Sequence, residues 1–435
     1  MKPVTWLASL VWMVSLIWVQ TISRTEFVIV WCGYSIAFAA YAWLLFSKKP
    51  IILTYGLILA VVARLISLFF EPQLSDDYYR FIWDGMVMHQ GVHPMRYTPS
   101  FLIQHPEIAR VPEGLYRLLN SKDYYSVYPP LTQWIYFISY KLNGMNLNGH
   151  VVFYKLLSIA VDLLILFLLH LLLKNKKLPP HQVLWYALNP LVILEFTGNL
   201  HMDGLMIAML LAAILFAEYK NVLWSSFLMA FSIASKLLTL MLMPFMPRKL
   251  YWKRMILFAV LTLTWSAVIF WFSFGKNTGW LESVQLWFTS FEFNASIYYL
   301  VRFAGYKMVG YNAIGSIGPV LALFTLASIG VLFRMYMLKN TFDWTAAMLY
   351  ALTLYFLLST TVHPWYLGML VALSVLSFHI YPMVWAYLIY LSYSHYEGGF
   401  YAENYYLIGL EYFLLMTWMW WECRWKKDGI IPAAA

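Results

Sequence analysis

The chain has 435 residues, of which 62% are hydrophobic, 19% aromatic and 11% charged, with a mean hydropathy of +0.66 and a net charge of +9. A soluble domain carries about 25% charged residues, and no soluble core is large enough to bury this much apolar side chain, so a water-soluble fold is excluded. Lysine and arginine gather in short loops between apolar runs, so the positive charge reads as membrane topology and not as a nucleic-acid footprint.

In chain order, apolar segments approach the about 20 residues that a crossing needs at 4–22, 26–46, 51–70, 150–173, 181–197, 201–218, 254–274, 313–335, 344–361, 365–378, 381–394 and 403–422. Shorter apolar pieces lie at 129–142 and 222–247. The expected fold is an all-α polytopic membrane protein, one domain with about twelve transmembrane helices (roughly 11–14). The first segment follows a lysine, as in a signal peptide, but lacks a small-x-small cleavage site and leads straight into further spans; it reads as a retained helix. Cys32 and Cys423 stand at opposite ends of the chain and suggest neither a disulfide framework nor a metal site. No internal repeat or low-complexity tract is evident, and the tail 430–435 reads as an expression remnant or a frayed end.

Loops rich in Lys and Arg belong on the cytoplasmic side. Lys48-Lys49, the run from Lys174 to Lys177, Arg248-Lys249 with Lys253-Arg254, and Arg424 with Lys426-Lys427 can share that side under two conditions. Segment 129–142 must not cross, which its length of about 14 residues favours. Segment 222–247 must enter and leave on one face; Lys236 and Pro244 break it in two, although one kinked span also fits. Both termini are then cytoplasmic. The segments facing the other side include the loop 71–148 with 129–142, the turn 199–203, a second loop 275–312 and the turn 361–365.

Segment 71–127 holds Glu71, Asp76, Asp77, Asp84, Glu107, Glu113 and Asp123, seven of the chain's 20 acids. Long loops in compact proteins are functional or disordered, and its Tyr, Trp and Phe content argues for short helices packed on the membrane face. Its densest polar run is Ser75-Asp76-Asp77-Tyr78-Tyr79-Arg80-Phe81-Ile82-Trp83-Asp84-Gly85. Helical spacing puts Asp76 or Asp77 on one face with Arg80 and Asp84. Adjacent carboxylates repel, and one set against apolar surface resists ionisation; both effects raise a pKa and suit a general base. The bland reading is an interfacial helix whose acids cap its start and pair with Arg80. Gly91-Val92-His93-Pro94-Met95-Arg96-Tyr97 and Tyr128-Pro129-Pro130-Leu131-Thr132 follow.

An acidic pair closing a span, an Arg-aromatic-x-Trp-Asp-Gly run, a Gly-x-x-Pro turn and a Tyr-Pro-Pro-Leu helix together resemble the GT-C superfamily of membrane glycosyltransferases. The likeness is greatest to bacterial polyprenyl-phosphate-mannose-dependent mannosyltransferases. The Tyr-Pro-Pro-Leu-Thr stretch is also similar to the dolichyl-phosphate-glucose glucosyltransferases of the endoplasmic reticulum, and the acidic loop more distantly resembles the first mannosyltransferase of GPI-anchor synthesis. Asn189-Pro190 with Gly198-Asn199-Leu200-His201-Met202-Asp203, Ser235-Lys236-Leu237-Leu238, and His363-Pro364-Trp365-Tyr366 have counterparts in the bacterial members. The likeness runs from about residue 64 to 370 and leaves out the first two and last three spans.

The resemblance implies inverting transfer of a hexose, mannose first, from a polyprenyl-phosphate sugar to a hydroxyl on a glycan, glycolipid, lipid or protein, at the outer face of a bacterial inner membrane. Its catalytic acid would be Asp76 or Asp77, the match to the glucosyltransferases slightly favouring Asp76. Departing lipid phosphate calls for cations: Lys236, Arg302, Arg96 and Arg80 are available, with His201 and His363 as donors. Trp83, Asp84, His93, Tyr97, Tyr128, Asn199, Asp203, Asn294, Trp365 and Tyr366 are the candidates for holding sugar and acceptor. No His/Cys/carboxylate spacing matches a zinc or calcium site, so no tightly bound metal is expected; in superfamily members that use a divalent ion, carboxylates such as Asp76, Asp77 and Asp203 would share it.

Ionisable residues within spans are costly and usually functional. Lys236 has no acid in its own apolar stretch and is expected to be functional, Lys155 and Asp162 read as one internal charge network, and Glu195, near a span end, can simply reach water. A transporter or flippase would share the many spans but should show repeat symmetry and paired broken helices. An oligosaccharide ligase places its large loop late; the early acidic loop argues against both.

Overall fold

The computed structural model describes residues 3–47, 50–247, 252–274, 279–338 and 343–427. Lys48-Lys49, Arg248-Lys249 and the tail 430–435 lie outside the described residues. The described chain is helical, with no strand and one isolated bridge between Phe293 and Thr361.

Helices α1 (Pro3–Val19) and α2 (Phe27–Phe46) form a hairpin, and α3 (Leu53–Ile66) leads into the large loop. The loop folds as α4 (Asp77–His89), α5 (Pro99–Leu102), α6 (Glu113–Leu118) and α7 (Pro130–Asn143), the short packed helices expected of its aromatic content. They have a core of their own, built from Phe81, Trp83, Met86, Leu102, Leu115 and Tyr136. Helix α7 is about 21 Å long at 1.5 Å per residue, short of the about 30 Å hydrocarbon thickness.

Helix α8 (Leu147–Asn175) is the longest. The next expected span is irregular: α9 (Val183–Ala187), α10 (Pro190–Val192) and a π-turn at Ile193–Gly198 precede α11 (Asp203–Glu218). Such breaks survive at membrane depth only where protein satisfies the freed backbone groups, and every residue from Val183 to Leu200 is buried. Helices α12 (Val222–Ser235), α13 (Trp252–Phe274), α14 (Trp280–Thr289), α15 (Ile297–Val309), α16 (Ile314–Leu338), α17 (Trp344–Leu358), α18 (Leu367–Ser377), α19 (Tyr381–Leu388) and α20 (Tyr405–Lys427) complete the chain. All of α18 is buried, as befits a helix apolar on every side, whereas α13 presents Trp271 and Phe272 outward.

Among the described residues α2, α8, α13 and α16 are each long and apolar enough to cross, and a fifth span arises if Pro190–Gly198 and α11, bent by 115°, count as one. The other expected spans correspond to shorter apolar helices such as α1, α12 and α17. The protein is a polytopic membrane protein, with many of its helices shortened by breaks.

Segment 222–247 breaks at Lys236, whose φ of −162° and ψ of 128° are extended, and continues as a 3-10 helix from Leu237 to Phe245. Ser225 and Ser232 donate to the carbonyls of Ala213 and Met206, which fixes α12 antiparallel to α11. Met246 accepts from Tyr336 near the end of α16, and Asp343, at the start of α17, pairs with Lys176 at the end of α8. The segment therefore returns to the end of the bundle it came from, with Lys236 at its apex: a hairpin.

The intramembrane charges need one correction. Lys155 and Asp162 do not form one network. Asp162 is held by Arg64 Nε at 2.7 Å and Tyr186 at 2.9 Å, whereas Lys155 donates to the carbonyls of Ser67 and Phe70, each at 2.5 Å. The first knits α3 and α8 to α9; the second caps the frayed end of α3. A buried ion pair tolerates its desolvation only with such added hydrogen bonds.

Candidate active site

The site begins where α4 begins. Ser75 Oγ accepts from the Asp77 amide at 3.3 Å, and Asp76 occupies the N-cap position without a side-chain cap bond. Its carboxylate is left to other partners and is taken by Arg24, from the turn between α1 and α2. Asp77 sits in the first turn, where the helix dipole favours a negative charge, and accepts from Asn120 Nδ2 at 2.9 Å. Burial pushes the Asp77 carboxyl above the usual carboxylate range, partly offset by the Asn120 bond and the charges of Arg24 and Lys236.

One turn on, Arg80 gives Nε to Asp84 at 2.8 Å and Nη1 to the carbonyls of Ser121 at 2.9 Å and Tyr124 at 3.0 Å. Asp84 also accepts from Gln133 at 3.0 Å and from Ser126, so α4 is fastened to the 119–126 strap and to α7. Arg80 borders the cavity described next, and its buried Nη2 has no hydrogen-bond partner among the described residues.

A cavity of about 900 Å³ opens against these groups. Its facing wall comes from α11 and the hairpin apex: Lys236 Nζ lies 2.6 Å from Asp203 Oδ1 and 3.7 Å from the centre of the Tyr366 ring. Beside them Trp365 is sandwiched between the rings of His201, at 3.6 Å, and His363, at 4.3 Å. His201 is aimed there by Leu200, held at φ +66° in a fully buried turn, a strained conformation of the kind found at functional sites. The 359–363 turn is anchored by the Phe293 bridge, with Val362 N donating to Phe293 O at 2.9 Å. A third wall is Arg24, His395, Tyr396 and Tyr401, and Leu237, Leu238 and Phe270 give the cavity an apolar flank.

Asp76, Asp77, Arg80, Tyr128, His201, Asp203, Lys236, His363, Trp365 and Tyr366 thus share one cavity. The remaining candidates do not line it. Arg302 is tied to Glu292 at 2.5 Å and Tyr405 at 2.6 Å. Arg96 is exposed beside the Tyr97 ring, and Tyr97 stacks on Phe101. Trp83 is buried in the loop core, and Asp84 is consumed by Arg80, Ser126 and Gln133. His93 accepts from the Met95 amide, turning the loop. Asn199 ties Leu74 N to Leu194 O, and Asn294, fully buried, donates to Glu411. Glu195 does not reach water either: it is fully buried, accepts from Tyr393 at 2.8 Å and lies 3.6 Å from His201. The partner for Lys236 missing from its own stretch is Asp203, inside the same cavity.

Sequence reasoning missed Arg24, Asn120, His395, Tyr396 and Tyr401. A signal existed, because the alternation of spans places the turns at 23–25 and 395–402 on the same side as the acidic loop; the resemblance did not reach them. Among the described residues no three His, Cys, Asp or Glu side chains converge as a metal would need, so Asp76, Asp77 and Asp203 do not form one ligand set.

Comparison with known proteins bears on this geometry. Residues 4–252 match the family model described as alpha-(1->6)-mannopyranosyltransferase, N-terminal domain; that is more than half of the chain and includes the acidic loop and Lys236. The chain is 27% identical over 242 residues to alpha-(1->6)-mannopyranosyltransferase A of Corynebacterium glutamicum, 52% of this chain and 46% of that protein. The matched region therefore spans less than half the length of that relative.

Proposed function

Because this chain belongs to the alpha-(1->6)-mannopyranosyltransferase family, we propose that it transfers mannose, with inversion, from a polyprenyl-phosphate sugar to a hydroxyl of a glycan, glycolipid, lipid or protein acceptor. The observation that carries this reading is the meeting, in one cavity, of the Asp76–Asp77 pair with Lys236 and Arg80. Acids for the nucleophile and cations for an anionic leaving group are what glycosyl transfer from a phosphate requires.

The acceptor hydroxyl gives its proton to Asp76 as its oxygen bonds to the anomeric carbon. The carbon–oxygen bond to phosphate breaks, and its electron pair leaves on the lipid phosphate. That phosphate carries one negative charge when bound and gains a second as the bond breaks, so Lys236 and Arg80 hold it tighter as charge develops. Asp76 fits the base because its carboxylate makes no bond within its own helix and its side chain is 41% exposed to the cavity. Asp77, hydrogen-bonded to Asn120, shapes its field. The apolar flank of Leu237, Leu238 and Phe270 suits the first isoprene units. No tightly bound metal enters the scheme. The enzyme works in the inner membrane of a bacterium with this cavity facing outward.

The test is turnover by purified protein with a panel of synthetic short-chain polyprenyl-phosphate sugars, scoring release of polyprenyl phosphate. Mannose is expected to be the preferred sugar. Transfer from a nucleotide sugar with none from any lipid phosphate would overturn the reading.

A further inference from the structure

Arg24 belongs to the turn joining α1 and α2 and is 12% exposed. Its backbone is pinned on both sides: Arg24 N donates to Gln73 O at 3.3 Å, and Thr25 O accepts from Gly398 N at 2.9 Å. Its guanidinium lies over the Tyr396 ring at 4.6 Å and gives Nη2 to Asp76. Three elements remote in sequence, the 20–26 turn, the loop before α4 and the 389–399 segment, thus meet at one cation on the cavity wall.

The arginines nearby are held differently. Arg80 is locked by Asp84 and two carbonyls, and Arg64 by Asp162 and the carbonyls of Ala60 and Ala187. Arg24 rests on a ring face, on the Tyr401 hydroxyl and on one carboxylate that itself has no cap role, with no backbone carbonyl among the described residues to lock it. The carboxylate end of the pair is open to the cavity, where a competing anion can reach it, and a guanidinium fork suits phosphate as well as carboxylate. Both Arg24 and Asp76 border the cavity in which the donor phosphate is placed above.

We propose that Arg24 is shared between Asp76 and the donor: it clasps the carboxylate until a lipid phosphate competes for the same guanidinium, and its transfer frees Asp76 to take the acceptor's proton. This rests on the donor class and base assigned above. Arg24 is then a third cation for the phosphate and makes the base available only when donor is present. No bond forms or breaks in the exchange; one ion pair replaces another.

A double-mutant cycle on binding tests it, with farnesyl phosphate as the probe and purified full-length protein. Arg24→Gln should weaken binding, and Asp76→Asn should tighten it by releasing Arg24. The gain from Asp76→Asn should be at least about threefold larger when Arg24 is present than in the Arg24→Gln background. Asp77→Asn, which removes a charge that Arg24 feels but does not hydrogen-bond, should couple to Arg24 less than Asp76→Asn does. Arg24→Lys keeps the charge and should retain part of the coupling, which guards against a folding defect in Arg24→Gln. An equal Asp76→Asn gain in both backgrounds, or unchanged affinity in Arg24→Gln, overturns the proposal. Folded wild-type protein that binds no farnesyl phosphate overturns the donor reading on which it rests, a separate result.

Discussion

Lys236 and Asp203, 33 residues apart, meet at 2.6 Å over the face of Tyr366, where the apex of one hairpin touches the start of the helix it returns along. The pair explains how an ammonium is kept at this depth. It also divides the possible roles of Lys236 into holding Asp203 and holding substrate, which substitution separates. Lys236→Met should lower turnover at saturating donor by roughly one to three orders of magnitude and weaken donor binding, and Lys236→Arg should recover part of both. If pairing were the whole role, adding Asp203→Asn to Lys236→Met would restore turnover; it is expected not to.

The two acids should separate in the same assay. Asp76→Asn is expected to lose roughly two to four orders of magnitude in turnover with no loss of donor affinity, since a base acts on the proton transfer and not on the ground-state complex; release of Arg24 should tighten lipid-phosphate binding instead. Asp77→Asn should lose less. Near-normal rates in both variants would move the base elsewhere.

The pH profile follows from the environment of Asp77. Burial raises its carboxyl and the Asn120 bond lowers it. Asp77 therefore takes up its proton at a pH above that of an ordinary carboxylate, and kcat/KM should fall as pH drops through that range. Asn120→Ala removes a hydrogen bond to the charged form and should move this limb to higher pH. Asp77→Asn removes the titrating group and should abolish this limb. A limb that ignores both substitutions would belong to another group.

Helix α4 approaches α7 at Gly85, where an added Cβ would lie 2.2 Å from the Tyr136 carbonyl oxygen. Backbone cannot swing aside as a side chain can. Gly85→Ala should cost about 1–3 kcal/mol, read as a lower Tm in detergent, and should reduce turnover because α4 and its N-cap position carry the two acids. Gly114→Ala, with nothing within 4 Å of the new carbon, is the control and should leave Tm in place.

Sidedness is open to thiol labelling. Cysteines at Gln104 and Met145 should both react with an impermeant reagent from outside, and one at Lys174 should not. Opposite labelling at 104 and 145 would mean that α7 crosses the membrane.

The membrane class, the helical fold and the packed acidic loop were legible in the chain itself. Each is local: the hydropathy of about 20 consecutive residues sets whether a segment enters a bilayer, and the acids of 71–127 stand out by density alone. For 222–247 the chain left a hairpin and one kinked span open, and only the contacts of Met246 and Tyr336 decided between them. Which polar groups face one another was not. Asp203 and Lys236, or Arg24 and Asp76 at a separation of 52, meet only through the packing of helices far apart in the chain. The same packing decided against Arg302, Asn294 and Asp84, each polar and well placed in sequence, each spent on a neighbour that no spacing rule announces. A buried polar group must find a partner wherever the fold supplies one, and that choice belongs to the tertiary structure.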